Sequence, residues 1–413
     1  GVGAAAPAAG DPPLRRKLFW VTLLYFAEGF PFGVVYDLLP VYFRTAGVSL
    51  REIGLLSMLG LPWSLKVFWS PLVDRFGDRR AWVSACLAGM AAILLVLPVF
   101  PPGTVGWTLR GLLLLFTILS ATQDIAIDAY TVGLMNPGQE GPANSVRVAA
   151  YRAAIILAGG GIVALSHLLS WPVLLRLAAV VPLILALSAW RAPRVAVPVE
   201  ARRALFRPLW LWLRRPGGIA VFVFILLYKV GDASMGPMVK PFWLDRGLTS
   251  AEVGLVSTTF GMLATIAGAL VGGVWIARIG IFRGLWALGL LQALSNLGYA
   301  SVGWLDLGRG YVYAASVFES FTGGLGTAAF LSFLMNICDR EHAAVQYALL
   351  SAVFGFSRSI SGGFSGWATE RLGYGDYFGV TFLLAFPAYA LLPWVRAWVR
   401  ERPAGQARGP VAA

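Results

Sequence analysis

Twelve stretches of about 20 mostly apolar residues, the length that carries an α-helix across a bilayer, recur near 18–41, 52–72, 81–100, 107–135, 143–167, 171–190, 218–244, 252–276, 283–303, 308–337, 344–369 and 375–397. In hydrocarbon each backbone N–H and C=O must find its partner within the protein, so runs of this length predict helices and not open sheets. Composition excludes an ordinary soluble domain: of 413 residues 58% are hydrophobic and only 13% charged, with a mean hydropathy of +0.72. The expectation is an all-α polytopic membrane protein with twelve transmembrane helices.

The net charge of +13 is sorted by side. Arg15, Arg16 and Lys17, then Arg75, Arg79 and Arg80, then the arginines of 191–217, then Arg278, Arg283 and the C-terminal arginines alternate with sparser loops that hold Arg44, Arg51, Arg246, Arg309 and Arg371. The positive-inside rule places the first set in the cytoplasm, and an even number of spans leaves both termini there. The charge is thus a topology signal, and nucleic acid is not an expected partner. No small-residue cleavage site followed by a soluble domain comes after the first apolar run, so a cleaved signal peptide is not expected.

Ionisable residues inside the spans are costly, so they mark function by default. The fourth span carries Ser120-Ala-Thr-Gln-Asp-Ile-Ala-Ile-Asp-Ala-Tyr130, where Asp124 and Asp128, four apart, share one helical face. In the first span Tyr25, Glu28, Phe32 and Tyr36 share a face, and Gly29, Pro31 and Gly33 are expected to kink the helix beside Glu28. Asp37, Lys66, Arg152, Lys229, Asp232, Lys240, Glu319 and Arg358 complete the set, whereas in spans three, six, nine and twelve the charges, Arg176, Arg283, Asp376 and Arg396, stand only near the ends. That distribution predicts a central polar path lined by the charged spans. The two cysteines, Cys86 and Cys338, and two histidines, His167 and His342, make neither a disulfide framework nor a metal site, and no nucleophile elbow or phosphate loop points to an enzyme.

The loop after span two reads Asp74-Arg75-x-Gly77-x-Arg79-Arg80, and the second half echoes the first. Gly47-x-Ser49-x-x-Glu52-x-Gly54-x-x-Ser57 returns as Gly247-x-Thr249-x-x-Glu252-x-Gly254-x-x-Ser257, and Arg75-x-Gly77-x-x-Arg80 as Arg278-x-Gly280-x-x-Arg283. The loop resembles the signature between the second and third helices of the major facilitator superfamily, although Ser70 stands where glycine is usual. The resemblance implies two pseudo-symmetric six-helix bundles, 18–190 and 218–399, joined by a linker at 191–217 and flanked by cytoplasmic tails at 1–17 and 400–413. It also implies a monomer and a cytoplasmic gate latch at Asp74, Arg75, Gly77, Arg79 and Arg80, with Arg278 and Arg283 in the second half. Ala277 replaces the acid at Asp74, and Gly323-Gly-Leu-Gly326 lacks the acidic pair of the fourth span, so function is loaded on the first half.

Three strings in order, Glu28-Gly-Phe-Pro31, Ser64-Leu-Lys-x-x-Trp-Ser-Pro-Leu-Val-Asp74 and Ala121-Thr-Gln-Asp-Ile-Ala-Ile-Asp128, are similar to those of the AmpG muropeptide permeases and the related acetyl-CoA transporters. That resemblance implies proton-driven import of anhydro-muropeptides by rocking of two halves around a mid-membrane site, with no cofactor. The residues are compatible: Asp124, Asp128 and Glu28 to carry protons, cations Lys66, Arg152, Lys229, Lys240 and Arg358 to neutralise an anionic small molecule, and aromatics such as Tyr25, Tyr151 and Tyr228 to stack on sugars, beside Asp232 and Glu319. Open alternatives are a structural clasp between the acids and Arg152, Arg147 as a residue of the cytoplasmic mouth, an acyl-CoA or ferric siderophore as substrate, and a ligand-sensing scaffold without flux.

Overall fold

The structure is a computed structural model and describes residues 12–75, 78–136, 139–195, 210, 212–338 and 343–399. Gly77 of the loop signature, the linker from 196 to 209, His342, residues 1–11 of the first tail and the tail at 400–413 lie outside the described residues, as do the side chains of Asp74 and Arg75. All regular structure among the described residues is helical. Eight helices there are long and apolar enough to cross a membrane, or nine if the pair Tyr374–Tyr389 and Leu392–Trp398, bent by 52°, is one span.

The remaining expected spans are helical too, and their departures have local causes. Span two is not a continuous helix: it runs as Leu50–Leu55, a tight turn Leu56–Gly60, Leu61–Leu65, a second tight turn Lys66–Phe68, and Ser70–Arg75. Pro62 and Pro71 remove backbone donors along that path. Span seven, expected unbroken over 218–244, is interrupted at Tyr228-Lys229 between the helices Gly218–Leu227 and Val230–Asp245. Span one runs through Pro31 as an α-helix to Gly33, and its irregularity follows as a π-helical turn at Val34–Leu38.

The halves repeat one packing order. The first span packs on the fifth and the third on the fourth and sixth, as the seventh packs on the eleventh and the ninth on the tenth and twelfth. Two compact units result: 1–42 with 65–200, and 43–64 with 201–413. In the first unit backbones approach closely where glycines stand: a Cβ on Gly29 would lie 2.4 Å from the Tyr151 carbonyl oxygen, and one on Gly159 2.2 Å from the Asp37 Cβ. In the second unit, segment 43–64 seats on the eleventh span, where a Cβ on Gly366 would lie 1.8 Å from the Leu50 carbonyl oxygen. Arg44 adds two hydrogen bonds to Asp245, at 2.7 and 2.6 Å, and the Arg51 amide donates to Glu370 at 2.9 Å.

The longer internal echo proves to be punctuation between helices. Gly47 and Gly247 take left-handed φ values of 84° and 77°, ending one helix where a Cβ is disfavoured. Ser49 and Thr249 then cap the next, accepting from the Glu52 and Glu252 amides, and the Glu252 carboxylate returns the favour to the Thr249 amide at 2.6 Å. At the loop signature after span two Asp78 caps the third span and accepts from Arg80, which also donates to the Ala192 carbonyl at the end of the sixth span at 2.7 Å. Arg79 donates to the Val73 carbonyl. The Arg80 side chain, with its backbone amide, holds the Asp78 carboxyl below the usual carboxylate range.

Candidate functional site

The helix Trp107–Leu134 presents its acidic face to three other segments of the first unit. Asp124 is buried at 5% exposure, and its Oδ2 pairs with Lys66 Nζ at 3.5 Å. Lys66 reaches it because span two tightens at this residue, and Trp69 fixes the turn by donating to the Thr122 hydroxyl at 3.1 Å. One turn on, Asp128 Oδ1 accepts from the Tyr25 hydroxyl at 2.7 Å and pairs with Arg147 at 3.6 Å. The Arg147 guanidinium lies 4.5 Å from the centre of the Tyr25 ring, so tyrosine, arginine and aspartate brace one another.

Glu28 lies within charge-interaction range of Asp124, Asp128, Lys66 and Arg147. The group therefore sets three carboxyls against two cations. Among the described residues, Glu28 Oε2, Asp124 Oδ1 and both amide atoms of Gln123 are buried without a hydrogen-bond partner. A buried acid with an orphaned oxygen is an expensive arrangement that a proton or a polar ligand relieves.

The second unit holds a separate polar group. Lys229, 4% exposed at the break in span seven, donates to Gln292 Oε1 at 2.8 Å and pairs with Asp232 at 3.5 Å. Glu319 lies within charge-interaction range of Asp232, Lys229 and Lys240. Tyr228 is not available as a sugar platform: its ring stacks on Phe330 at 5.4 Å within the apolar core, and its hydroxyl donates to the Leu285 carbonyl. Tyr25 is likewise buried, serving Asp128. Tyr151 packs with Phe32 at 6.0 Å, its neighbour Arg152 is half-buried, and Arg358 is half-buried on the eleventh span. Arg278 and Arg283 are exposed at adjoining helix ends. The ion pairs seen at the two aspartates go to Lys66 and Arg147, cations other than the Arg152 of the alternative clasp.

Sequence reasoning missed Arg147 as a partner of Asp128, and it missed Gln292, Asn296 and Gln123, all nearly or fully buried. A search for amides as well as charges within the spans finds the last three. Among the described residues no cluster of three or more His, Cys, Asp or Glu is arranged to hold a metal.

Comparison with known proteins places this geometry. Residues 17–100 match the family model described as acetyl-coenzyme A transporter 1. The anhydromuropeptide permease of Escherichia coli (strain K12) is 32% identical over 381 residues, which cover 90% of this chain and 78% of the relative. The chain belongs to the AmpG permease family. Within it, putative transporter AmpG 4 of Rickettsia conorii is 25% identical over 93% of this chain and 97% of its own. The family fold is that of the major facilitator superfamily. A bacterial homologue of the human lysosomal transporter Spinster, solved inward-facing and unoccupied, superposes with a TM-score of 0.76 over 94% of this chain and 98% of its own at 14% identity. The nucleoside transporter NupG does so at 0.70 over 92% and 98%, at 15% identity. The protein is a multi-pass membrane transporter.

Proposed function

We propose that the protein imports anhydro-muropeptides from periplasm to cytoplasm across the bacterial inner membrane, in symport with protons and by alternating access, with both termini cytoplasmic. The observation that carries this reading is the balance at the acidic face: three carboxyls, two cations and two orphaned carboxyl oxygens, a set that one proton neutralises. Asp124, Asp128 and Glu28 carry the proton. Lys66 and Arg147 hold the acids when the proton leaves, so loading and unloading need not strand a bare charge. Arg152, Lys240 and Arg358 meet the carboxylates of the substrate. The cytoplasmic signature from Asp74 to Arg80, with Arg278 and Arg283, latches the gate. The relative's name supports a muropeptide as substrate. The family model over residues 17–100 supports acetyl-CoA as the second reading.

Uptake by proteoliposomes, acidic outside, tests both. Labelled anhydro-muropeptide should accumulate against its gradient and leak away on adding a protonophore, and Asp124→Asn and Asp128→Asn should abolish accumulation while leaving exchange down the gradient. Full gradient-driven accumulation in both variants would sink the coupling role. Accumulation of acetyl-CoA alone would reassign the substrate.

A further inference from the structure

The ninth span is not among the charged spans expected to line the polar path, yet it sends a buried amide toward the tenth. Gln292 is 4% exposed, and Lys229 Nζ donates to its Oε1 at 2.8 Å. An ammonium only donates, so this contact fixes which end of the amide is oxygen and leaves Nε2 as the donor end. That nitrogen is buried and has no hydrogen-bond partner among the described residues. An orphaned buried donor is uncommon and calls for an acceptor.

The tenth span shapes the ground around it with two glycines that act differently. A Cβ on Gly326 would stand 1.9 Å from Gln292 Oε1, so this glycine is needed to seat the amide at all. At half-exposed Gly323 a Cβ would lie 3.9 Å from Gln292 Nε2 and 3.9 Å from Glu319 Oε1, an ordinary contact distance to both. Gly323 therefore leaves open a spot of methyl size, flanked by a nitrogen donor on one side and a carboxyl acceptor on the other.

We infer that Gly323, Gln292 and Glu319 form a subsite for a secondary amide of the transported ligand, its carbonyl oxygen accepting from Gln292 Nε2 and its N–H donating to Glu319. Paired donor and acceptor groups match the C=O and N–H of a secondary amide, which stand on opposite sides of one rigid plane, whereas an ammonium, which only donates, satisfies the acceptor alone and leaves the Gln292 nitrogen unpaired. Lys229 acts through Gln292 as a positioning residue, and the break at Tyr228-Lys229 is what brings its ammonium to the amide oxygen. The inference rests on the muropeptide reading for the ligand's identity, since such a ligand offers amides in its N-acetyl groups and in its peptide stem.

Calorimetric affinities of the detergent-purified full chain decide the matter, measured for an anhydro-muropeptide, for the same compound without its peptide stem, and for the same compound without its N-acetyl groups. Removing the source of the bound amide should weaken wild-type binding at least tenfold, and the arm that does so tells N-acetyl from peptide. Gly323→Ala fills the spot without a clash, so it should bind the intact compound as weakly as wild type binds the stripped one, with the melting temperature of the unliganded protein unchanged. Gln292→Glu keeps an acceptor for Lys229 but loses the donor, and should match Gly323→Ala. Wild-type affinity in Gly323→Ala would overturn the subsite while leaving muropeptide transport intact. Should wild type bind only acetyl-CoA, the muropeptide reading fails, and a tenfold loss of acetyl-CoA affinity in Gly323→Ala would still uphold the subsite. Binding of none of these compounds would remove both.

Discussion

Replacing Lys66 by methionine tests whether Asp124 depends on it. The two charges lie 3.5 Å apart, with the aspartate side chain 6% and the lysine side chain 30% exposed. At that separation and an effective dielectric of about 20, their attraction is about 5 kcal/mol, most of which offsets the cost of removing both from water. The pair as a whole therefore contributes little net stability, but deleting one member leaves the other buried and uncompensated, at about 3–5 kcal/mol. Lys66→Met and Asp124→Asn should each destabilise by that order, and the double variant should return to within about 1 kcal/mol of wild type, because neither charge of the pair remains and the balance of the rest of the group is unchanged. Unfolding in mixed micelles, followed by tryptophan fluorescence, gives the three differences, and Trp69 beside Thr122 reports from the site itself. Single-variant costs that simply add in the double variant would refute the coupling and leave Lys66 a lysine whose ammonium serves no acid.

Arg147→Ala should split stability from transport: its pair with Asp128 is 44% and 41% exposed, so melting should change by less than about 1 kcal/mol, whereas uptake should fall at least tenfold as Asp128 loses its brace. Retained uptake would contradict that role. Asp78→Asn should have a cost that depends on pH: because Arg80 holds the folded-state carboxyl below its unfolded value of about 3.9, the contribution is present above that value and is lost as pH falls through the folded one. The wild-type advantage in melting should hold from neutral pH down to about 5 and shrink below about 4. Gly366→Ala places a Cβ 1.8 Å from a backbone oxygen and should destabilise by about 1–3 kcal/mol, while the control Gly236→Ala, with nothing within 4 Å, should be neutral or slightly stabilising.

Much of the architecture was legible because the bilayer imposes a single length scale on apolar runs, and the helices Trp107–Leu134 and Arg309–Ile337 end within a residue or so of their expected limits. The acidic face was legible for a related reason: two carboxyls spaced by four in an apolar helix have few innocent explanations. Their partners were not. Lys66 and Asp124 are 58 positions apart and Tyr25 and Asp128 are 103 apart, and no local pattern encodes which cation meets which acid. Tyr228 misled because an aromatic ring near a charged residue looks the same in sequence whether it lines a path or fills a core. The breaks at Lys66 and Lys229 also escaped notice, since both depend on tertiary contacts, Trp69 with Thr122 in one case and Gln292 in the other, that override helical preference.

Segment 43–64 precedes most of the first unit in sequence but belongs to the second, and this bears on how the chain is made. The Arg51 amide waits for Glu370, 319 residues further along. During synthesis the outer part of span two must stay without its final neighbours while the ribosome adds nine more spans, so the second unit closes only after the eleventh has been inserted. A gene split within the linker would give an N-terminal fragment bearing a piece of the other fragment's fold. Coexpressed, the two halves have a built-in reason to recombine, and expressed alone, the C-terminal half should be the poorer folder.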